Sequence, residues 1–224
     1  MTLYVINPNS SQNVTDGLKQ ALSPLEAWGH PIRCVTLHEG PPGIETQAHI
    51  DSVIAPTLRL ARSLRDATGF VIACFSDPAV KELRAEMTLP VLGIREAAIS
   101  TALTLGNRFG IVALRPGSIP RHIAAVDDMG LSDRLAGGRA LDLGVIELAD
   151  ETRTLQRLLS TARDLRDEDG ADVLILGCAG MAHYRGRVEA ATGLPTIDPT
   201  QAAAAMALGR ISLRQSHKPE VNHA

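Results

Sequence analysis

VIACFSDP, Val71–Pro78, and LILGCAGM, Leu174–Met181, are built alike. Each opens on an apolar run of the length of one buried strand, places a cysteine at the carboxyl edge of that run, and continues into small or turn-forming residues. A cysteine that served only as core filling would sit more naturally inside the apolar run. Each segment is followed, after a helix-length gap, by a Leu-Pro pair: LPVLGIREAA, Leu89–Ala98, and LPTIDPTQAA, Leu194–Ala203. The cysteines stand 104 residues apart and the Leu-Pro pairs 105. Further upstream, NPNSS, Asn7–Ser11, parallels RPGSI, Arg115–Ile119, with the prolines 108 apart. Three matches in the same order at nearly constant offset predict two homologous halves, with Cys74 and Cys178 in equivalent places.

Short β-branched runs alternate with segments of helical period, the pattern of α/β units with parallel sheets. Strands are expected at Leu3–Asn7, Ile32–Thr36, Gly69–Cys74 and Pro90–Gly93, then at Arg108–Ala113, Leu141–Val145, Asp172–Gly177 and Pro195–Ile197. Helices are expected at Ser11–Leu22, Thr46–Ala67, Ala79–Met87, Glu96–Leu105, Ile119–Met129, Glu151–Arg166, Met181–Ala191 and Gln201–Leu213, with Pro56 kinking or splitting the second. The fold class is therefore α/β with two pseudo-symmetric domains, each a four-stranded parallel sheet flanked by helices. Ligands of such sheets bind beyond the carboxyl ends of the strands, so two facing halves would aim both cysteines into one cleft.

Composition narrows the function. The 224 residues carry a formal charge of −3 and 3% aromatic residues, which gives neither a basic field nor a set of stacking platforms for nucleic acid. The N-terminal MTLYVINPNSS lacks a basic n-region, and no apolar stretch approaches a membrane span, so a cytoplasmic protein with no membrane or nucleic-acid partner is expected. Three cysteines, none in a C-x-x-C, suggest neither a disulfide framework nor a zinc site, and the histidines have no ligand spacing; no metal and no cofactor are expected. Cys34, inside the strand-like IRCVTL, reads as packing. The glycines of LGCAGM form no dinucleotide fingerprint.

The chemistry follows from where the cysteines stand. Asp77 or Ser76 can cap a helix with Pro78 in its first turn, and Ala179-Gly180 leads into another helix start. Each sulfur is thus expected beside free backbone N–H groups, which favour thiolate and can hold an oxyanion. Two thiols across a small molecule suit proton removal from a carbon next to a carbonyl on one face and proton return on the other. That inverts a stereocentre. Asn7, Asn9 and Ser10 end the first strand at the same edge, where an amide can reach a ligand or cap the next helix. Arg95 and Glu96 begin a helix at a strand end, and His183 lies just beyond Cys178; their roles stay open between substrate contact and capping.

VINPNSS, GPPGIETQ, VIACFSDP, NRFGIVALRPGSIPR, LILGCAGMA and LPTID together resemble the aspartate/glutamate/hydantoin racemase superfamily, and within it the hydantoin and allantoin racemase branch. The resemblance implies a cofactor-independent racemase acting at C5 of a 5-substituted hydantoin or allantoin, with Cys74 and Cys178 as base and acid. It implies that the amides of Phe75, Ser76, Ala179 and Gly180 hold substrate carbonyls and that Asn9 lines the pocket. It also implies a homo-oligomer, and a C-terminal helix that returns to the first domain. That gives residues 1–98 plus 199–215 as one domain, 99–198 as the second and 216–224 as a flexible tail. Arg95, where the branch has a small residue, and IDPTQ in place of IDG are departures. Acidic amino acid racemase, decarboxylase or cis-trans isomerase chemistry is the alternative, and a non-catalytic binding protein or thiol sensor a third.

Overall fold

The computed structural model describes residues 1–214; the tail expected over 216–224 lies outside the described residues. Strands β1 (Thr2–Asn7), β2 (Ile32–Thr36), β3 (Ala67–Ile72) and β4 (Val91–Gly93) form one sheet in the order β2-β1-β3-β4. Strands β5 (Phe109–Ala113), β6 (Leu135–Ala140), β7 (Val173–Leu176) and β8 (Thr196–Ile197) form a second in the order β6-β5-β7-β8. Every pairing is parallel, and the two orders are the same order twice. The α/β architecture of two four-stranded parallel sheets is thus as expected from the internal repeat.

Helices α1 (Gln12–Leu22), α2 (Gln47–Ser52), α3 (Ile54–Ser63), α4 (Val80–Glu86) and α5 (Ile94–Ala102) belong to the first half of the chain. They are followed by α6 (Ile119–Asp128), α7 (Glu151–Asp167), α8 (Arg185–Thr192) and α9 (Pro199–Ser212). Their starts are chemically marked. Ser11 accepts from Val14 N–H, Thr46 from His49 N–H, Asp150 from Arg153 N–H and Asp198 from Gln201 N–H, each cap worth about 1 kcal/mol. Gly193 ends α8 in the left-handed region at φ 71°, where a side chain would be strained.

Strand alternation sorts the side chains into layers. Leu3, Val5, Val71 and Leu92 of the first sheet and Phe109, Ile111, Val173, Ile175 and Ile197 of the second share one core with α1, α5 and α9. The opposite faces, Tyr4, Ile6, Phe70 and Ile72 on one sheet and Val112, Leu174 and Leu176 on the other, pack in separate outer clusters. Helices α5 and α9 therefore lie between the sheets, and α9, the last described helix, covers β3 and β4. No described helix is long and apolar enough to cross a membrane.

Three expectations are corrected. β6 is Leu135–Ala140, not Leu141–Val145. It is a half-buried edge strand that pairs through its backbone, with few side chains of its own to report it. Leu141, Leu143 and Val145 are buried, so their apolar spacing reports loop residues folded into the core. The helix expected over Thr46–Ala67 breaks at Val53 and ends at Ser63, leaving Pro56 in the first turn of α3, where its missing N–H removes no helical bond. The residues after Cys178 form a 3-10 turn, Ala179–Tyr184, before α8 starts at Arg185.

Candidate active site

β3 and β7 hold the same place in their sheets, and both run out at one edge into a cysteine two residues on. Cys74 and Cys178 line one cleft of about 610 Å³, counting its open mouth, together with Asn9, Phe75, Ser76, Ala179 and Gly180. These are the seven residues to which the family resemblance gave a catalytic or substrate-binding role. Gly180 N–H points at Cys178 Sγ at 3.4 Å, and the backbone N–H of Ser76 takes the equivalent role at Cys74. Arg95 and His183 stand elsewhere. Arg95 lies behind the Cys74 loop with its Nε 3.8 Å from Asp77 Oδ2, and His183 packs on Tyr184 with the rings tilted by 40° and their centroids 3.8 Å apart.

Asn9 is oriented by its neighbours. Its side-chain oxygen accepts from Ser11 N–H at 2.9 Å and from Asn7 Nδ2 at 3.0 Å, while its own N–H donates to Asn7 Oδ1 at 3.2 Å. With that oxygen occupied, the amide NH₂ is the end left for the cleft.

Residues 3–207 match the family described as Asp/Glu/Hydantoin racemase. The chain is 34% identical to hydantoin racemase of Rhizobium meliloti over 212 residues, which is 92% of this chain and 87% of that protein. It belongs to the Asp/Glu/hydantoin racemase family. The backbone of this family member follows allantoin racemase from Klebsiella pneumoniae at a TM-score of 0.90, with 28% identity over 99% of this chain and 91% of the other. For allantoin racemase from Pseudomonas fluorescens the TM-score is 0.94, with 25% identity and coverage of 99% and 95%. The protein is an isomerase of the racemase type.

The electrostatics of this racemase correct one expectation. Burial pushes Cys74 up to about 11 and Cys178 up to about 12. The N–H groups of Ser76 and Gly180 pull the other way without overcoming it. No strong helix N-terminus stands at Cys74: α4 begins only at Val80, and neither Ser76 nor Asp77 caps it. Asp77 instead accepts from the N–H groups of Arg95 at 2.9 Å and Glu96 at 3.0 Å, capping α5. Cys34, on β2, is likewise pushed up to about 12 by burial and remains a packing residue. Among the described residues no three His, Cys, Asp or Glu side chains converge as a metal set.

The sequence did not single out the opposite wall, which comprises Glu45, Arg115, Arg121 and His122. Glu45 reaches from the loop before α2 to the second half, where its carboxylate accepts from Val145 N–H at 3.1 Å and lies 3.4 Å from Arg115 Nε. Its backbone oxygen accepts from Arg121 Nη2 at 2.9 Å. Arg115, Arg121 and His122 stand within eight residues of one another at the start of α6, and only contacts at long sequence separation bring Glu45 to them, so no local spacing showed that the two stretches form one wall. His122 is 5% exposed, packs edge-on against Phe75 and has a buried Nδ1 without a partner.

Burial, with Arg95 and Arg121 nearby, lowers His122 to about 4. Because the folded value lies below the ordinary 6.5, the neutral ring contributes stability above that pH and loses it as pH falls towards 4. Buried Asp77 and Asp198, raised to about 6, oppose it: their share is present at low pH and is lost as pH rises through 6. A His122→Leu variant isolates the histidine. The gap in unfolding free energy between wild type and variant should shrink by roughly 3 kcal/mol between pH 7 and pH 4, measured by urea titration at each pH. A constant gap would mean that the ring is not held neutral.

Proposed function

We propose that this racemase inverts C5 of a 5-substituted hydantoin or of allantoin, with Cys74 and Cys178 exchanging the roles of base and acid. The observation that carries it is the pair of thiols delivered to one cleft from equivalent strand ends, each with a backbone N–H two residues on directed at its sulfur. Relatives named hydantoin racemase and allantoin racemase, matched over most of the chain, supply the substrate class.

The thiolate of one cysteine takes the C5 proton, and the electron pair of that C–H bond moves into the ring as an enolate on the C4 carbonyl. The thiol opposite gives its proton to the other face of C5 and is left as thiolate. Ser76 and Gly180 N–H stabilise the sulfurs, those of Phe75 and Ala179 face the ring oxygens, and the Asn9 amide donates to a further carbonyl. A thiolate raised by burial is scarce at neutral pH but a stronger base towards a carbon acid.

The test is inversion with solvent deuterium entering C5 of each enantiomer of 5-methylhydantoin and allantoin, corrected for spontaneous exchange. With both thiols titrating above pH 10, kcat/KM should climb between pH 7 and pH 9 at close to tenfold per unit, following the thiolate fraction. Absence of exchange and inversion in every substrate would overturn the proposal.

A further inference from the structure

Register makes Gly93 and Asp198 equivalent positions. In the first sheet Ile72 on β3 pairs with Gly93 on β4, two residues before Cys74. In the second, Leu174 and Ile175 on β7 pair with Thr196 and Ile197 on β8, which places Asp198 beside Leu176, two residues before Cys178. The second half therefore carries a carboxylate where the first carries no side chain at all.

The space at Gly93 is nonetheless filled. A Cβ built on Gly93 would lie 2.2 Å from Asp77 Cγ and 2.4 and 2.5 Å from its two carboxylate oxygens. Asp77 comes from the loop after Cys74 and occupies the volume that a side chain at 93 would take. Its carboxylate caps α5 through Arg95 and Glu96 N–H, while that of Asp198 caps α9 through Gln201 N–H at 2.6 Å. Glu96 and Gln201 are themselves equivalent in the aligned LPVLGIRE and LPTIDPTQ segments. The two halves thus keep one carboxylate at the same place in space while drawing it from different places in the chain.

Reaching that place costs the backbone something. Asp77 adopts φ 50° and Ala79 φ 63°, in the left-handed region that non-glycine residues occupy at a cost of about 1 kcal/mol each. The turn that bends Asp77 inward is closed by its N–H on Cys74 O at 2.9 Å, so the strained residue and the thiol share one turn. Both carboxylates are buried, the Asp77 side chain 8% exposed and Asp198 2%, and Asp198 Oδ2 has no hydrogen-bond partner. A helix cap alone requires neither the strain nor the unsatisfied oxygen, since an exposed Ser or Asn caps as well.

We propose that Asp77 and Asp198 are paired positioning residues, one carboxylate held behind each cysteine, which make the two thiols interchangeable as acid and base. The inference rests on the two-thiol reading of this site. A racemase must use its cysteine pair in two arrangements, with the thiolate on one side for one enantiomer and on the other side for its mirror image. Unequal proton affinities would leave one arrangement scarce. Each negative carboxylate disfavours ionisation of its own thiol, Asp77 acting on Cys74 and Asp198 on Cys178. The other charged groups facing these thiols are Arg95 at Cys74, and Glu45 together with Cys74 itself at Cys178. Arg95 and Glu96 face Asp77, and Arg185 faces Asp198.

The experiment measures iodoacetamide alkylation of Cys74 and Cys178 separately, by peptide mass spectrometry, between pH 7.5 and pH 9 in the full chain. In Asp77→Asn, Cys74 should react about three- to fivefold faster while Cys178 stays within twofold, since a lower thiol pKa raises the thiolate fraction more than it reduces nucleophilicity. Asp198→Asn should give the reverse pattern. Equal acceleration of both thiols, as general loosening would produce, or no change in either, overturns the proposal. Should Asp77→Asn fail to fold, the double variant Asp77→Ala with Gly93→Asp supplies the carboxylate from β4 as Asp198 does beside β8. It should restore wild-type Cys74 alkylation relative to Asp77→Ala with Gly93 kept, and failure to restore it counts against the proposal. Alkylation needs no substrate, so a protein that racemises no hydantoin but shows the crossed thiol pattern fails the functional reading alone.

Discussion

In either Cys74→Ser or Cys178→Ser, inversion at C5 is expected to fall by about 10³-fold or more, and equally in both directions. Serine keeps the shape of the side chain but holds its proton far too tightly to act as a base, and losing a placed acid–base group costs about 10²- to 10⁴-fold. Equality of the two directions is required by thermodynamics: the enantiomers have equal free energy, so kcat/KM cannot favour one of them in any variant. What can differ is deuterium entry without inversion. With one thiol left, the enantiomer presenting its C5–H to that thiol can exchange its proton and return unchanged, while its mirror image cannot. Cys74→Ser and Cys178→Ser should therefore label opposite enantiomers of the same hydantoin, as read by chiral chromatography with mass detection. If either variant kept inversion within tenfold of wild type, the two-thiol mechanism would be lost.

Gly177→Ala is expected to damage both stability and catalysis. A Cβ on Gly177 would lie 2.6 Å from the backbone oxygen of Val112 on β5, and the same oxygen accepts the Gly177 N–H at 2.8 Å. Neither side of this contact is a flexible side chain, so the end of β7 must move away from β5. Overpacking of this kind costs about 1–3 kcal/mol, and displacing the adjacent Cys178 by as much as 1 Å costs about 10²-fold in rate. The paired measurements are the urea midpoint and kcat/KM with allantoin. Gly186→Ala, on α8 with nothing within 4 Å of the added carbon, is the control that should leave both close to wild type. A Gly177→Ala protein as active as wild type would show that the Cys178 loop does not depend on this close approach.

The legible parts of the architecture were those written twice. Strand ends at Cys74 and Cys178, the Leu-Pro pairs and the proline turns after β1 and β5 repeat at spacings of 104 to 108 residues, and that repetition carries the two-sheet organisation. Where the chain is not repeated in kind, the pattern misled. Leu141 and Leu143 have the alternation of a strand but are core-facing loop residues, whereas the glycines of β6 hide a strand whose pairing is all backbone. Ser76, Asp77 and Pro78 have the cap chemistry of a helix start beside Cys74, yet Asp77 spends that chemistry on α5, a helix that begins seventeen residues later in the chain. Desolvation, which outweighs the local N–H groups at both thiols, depends on what folds over them and has no local signature. The far wall of the cleft was hidden in a different way: RPGSIPRH holds three of its residues side by side, but only the fold brings Glu45 to them.

One packing relation bears on how the protein is made. Helix α9 is the last described element, yet it lies against β3, β4 and α5, which leave the ribosome far earlier. While the second sheet is still being synthesised, Leu3, Val5, Val71 and Leu92 can be shielded by α1 and α5 but not by the helix that completes their cover. The first half therefore waits, with apolar surface bare, until α9 has emerged, and nascent chains stalled between β5 and α9 should be the ones that chaperones hold longest.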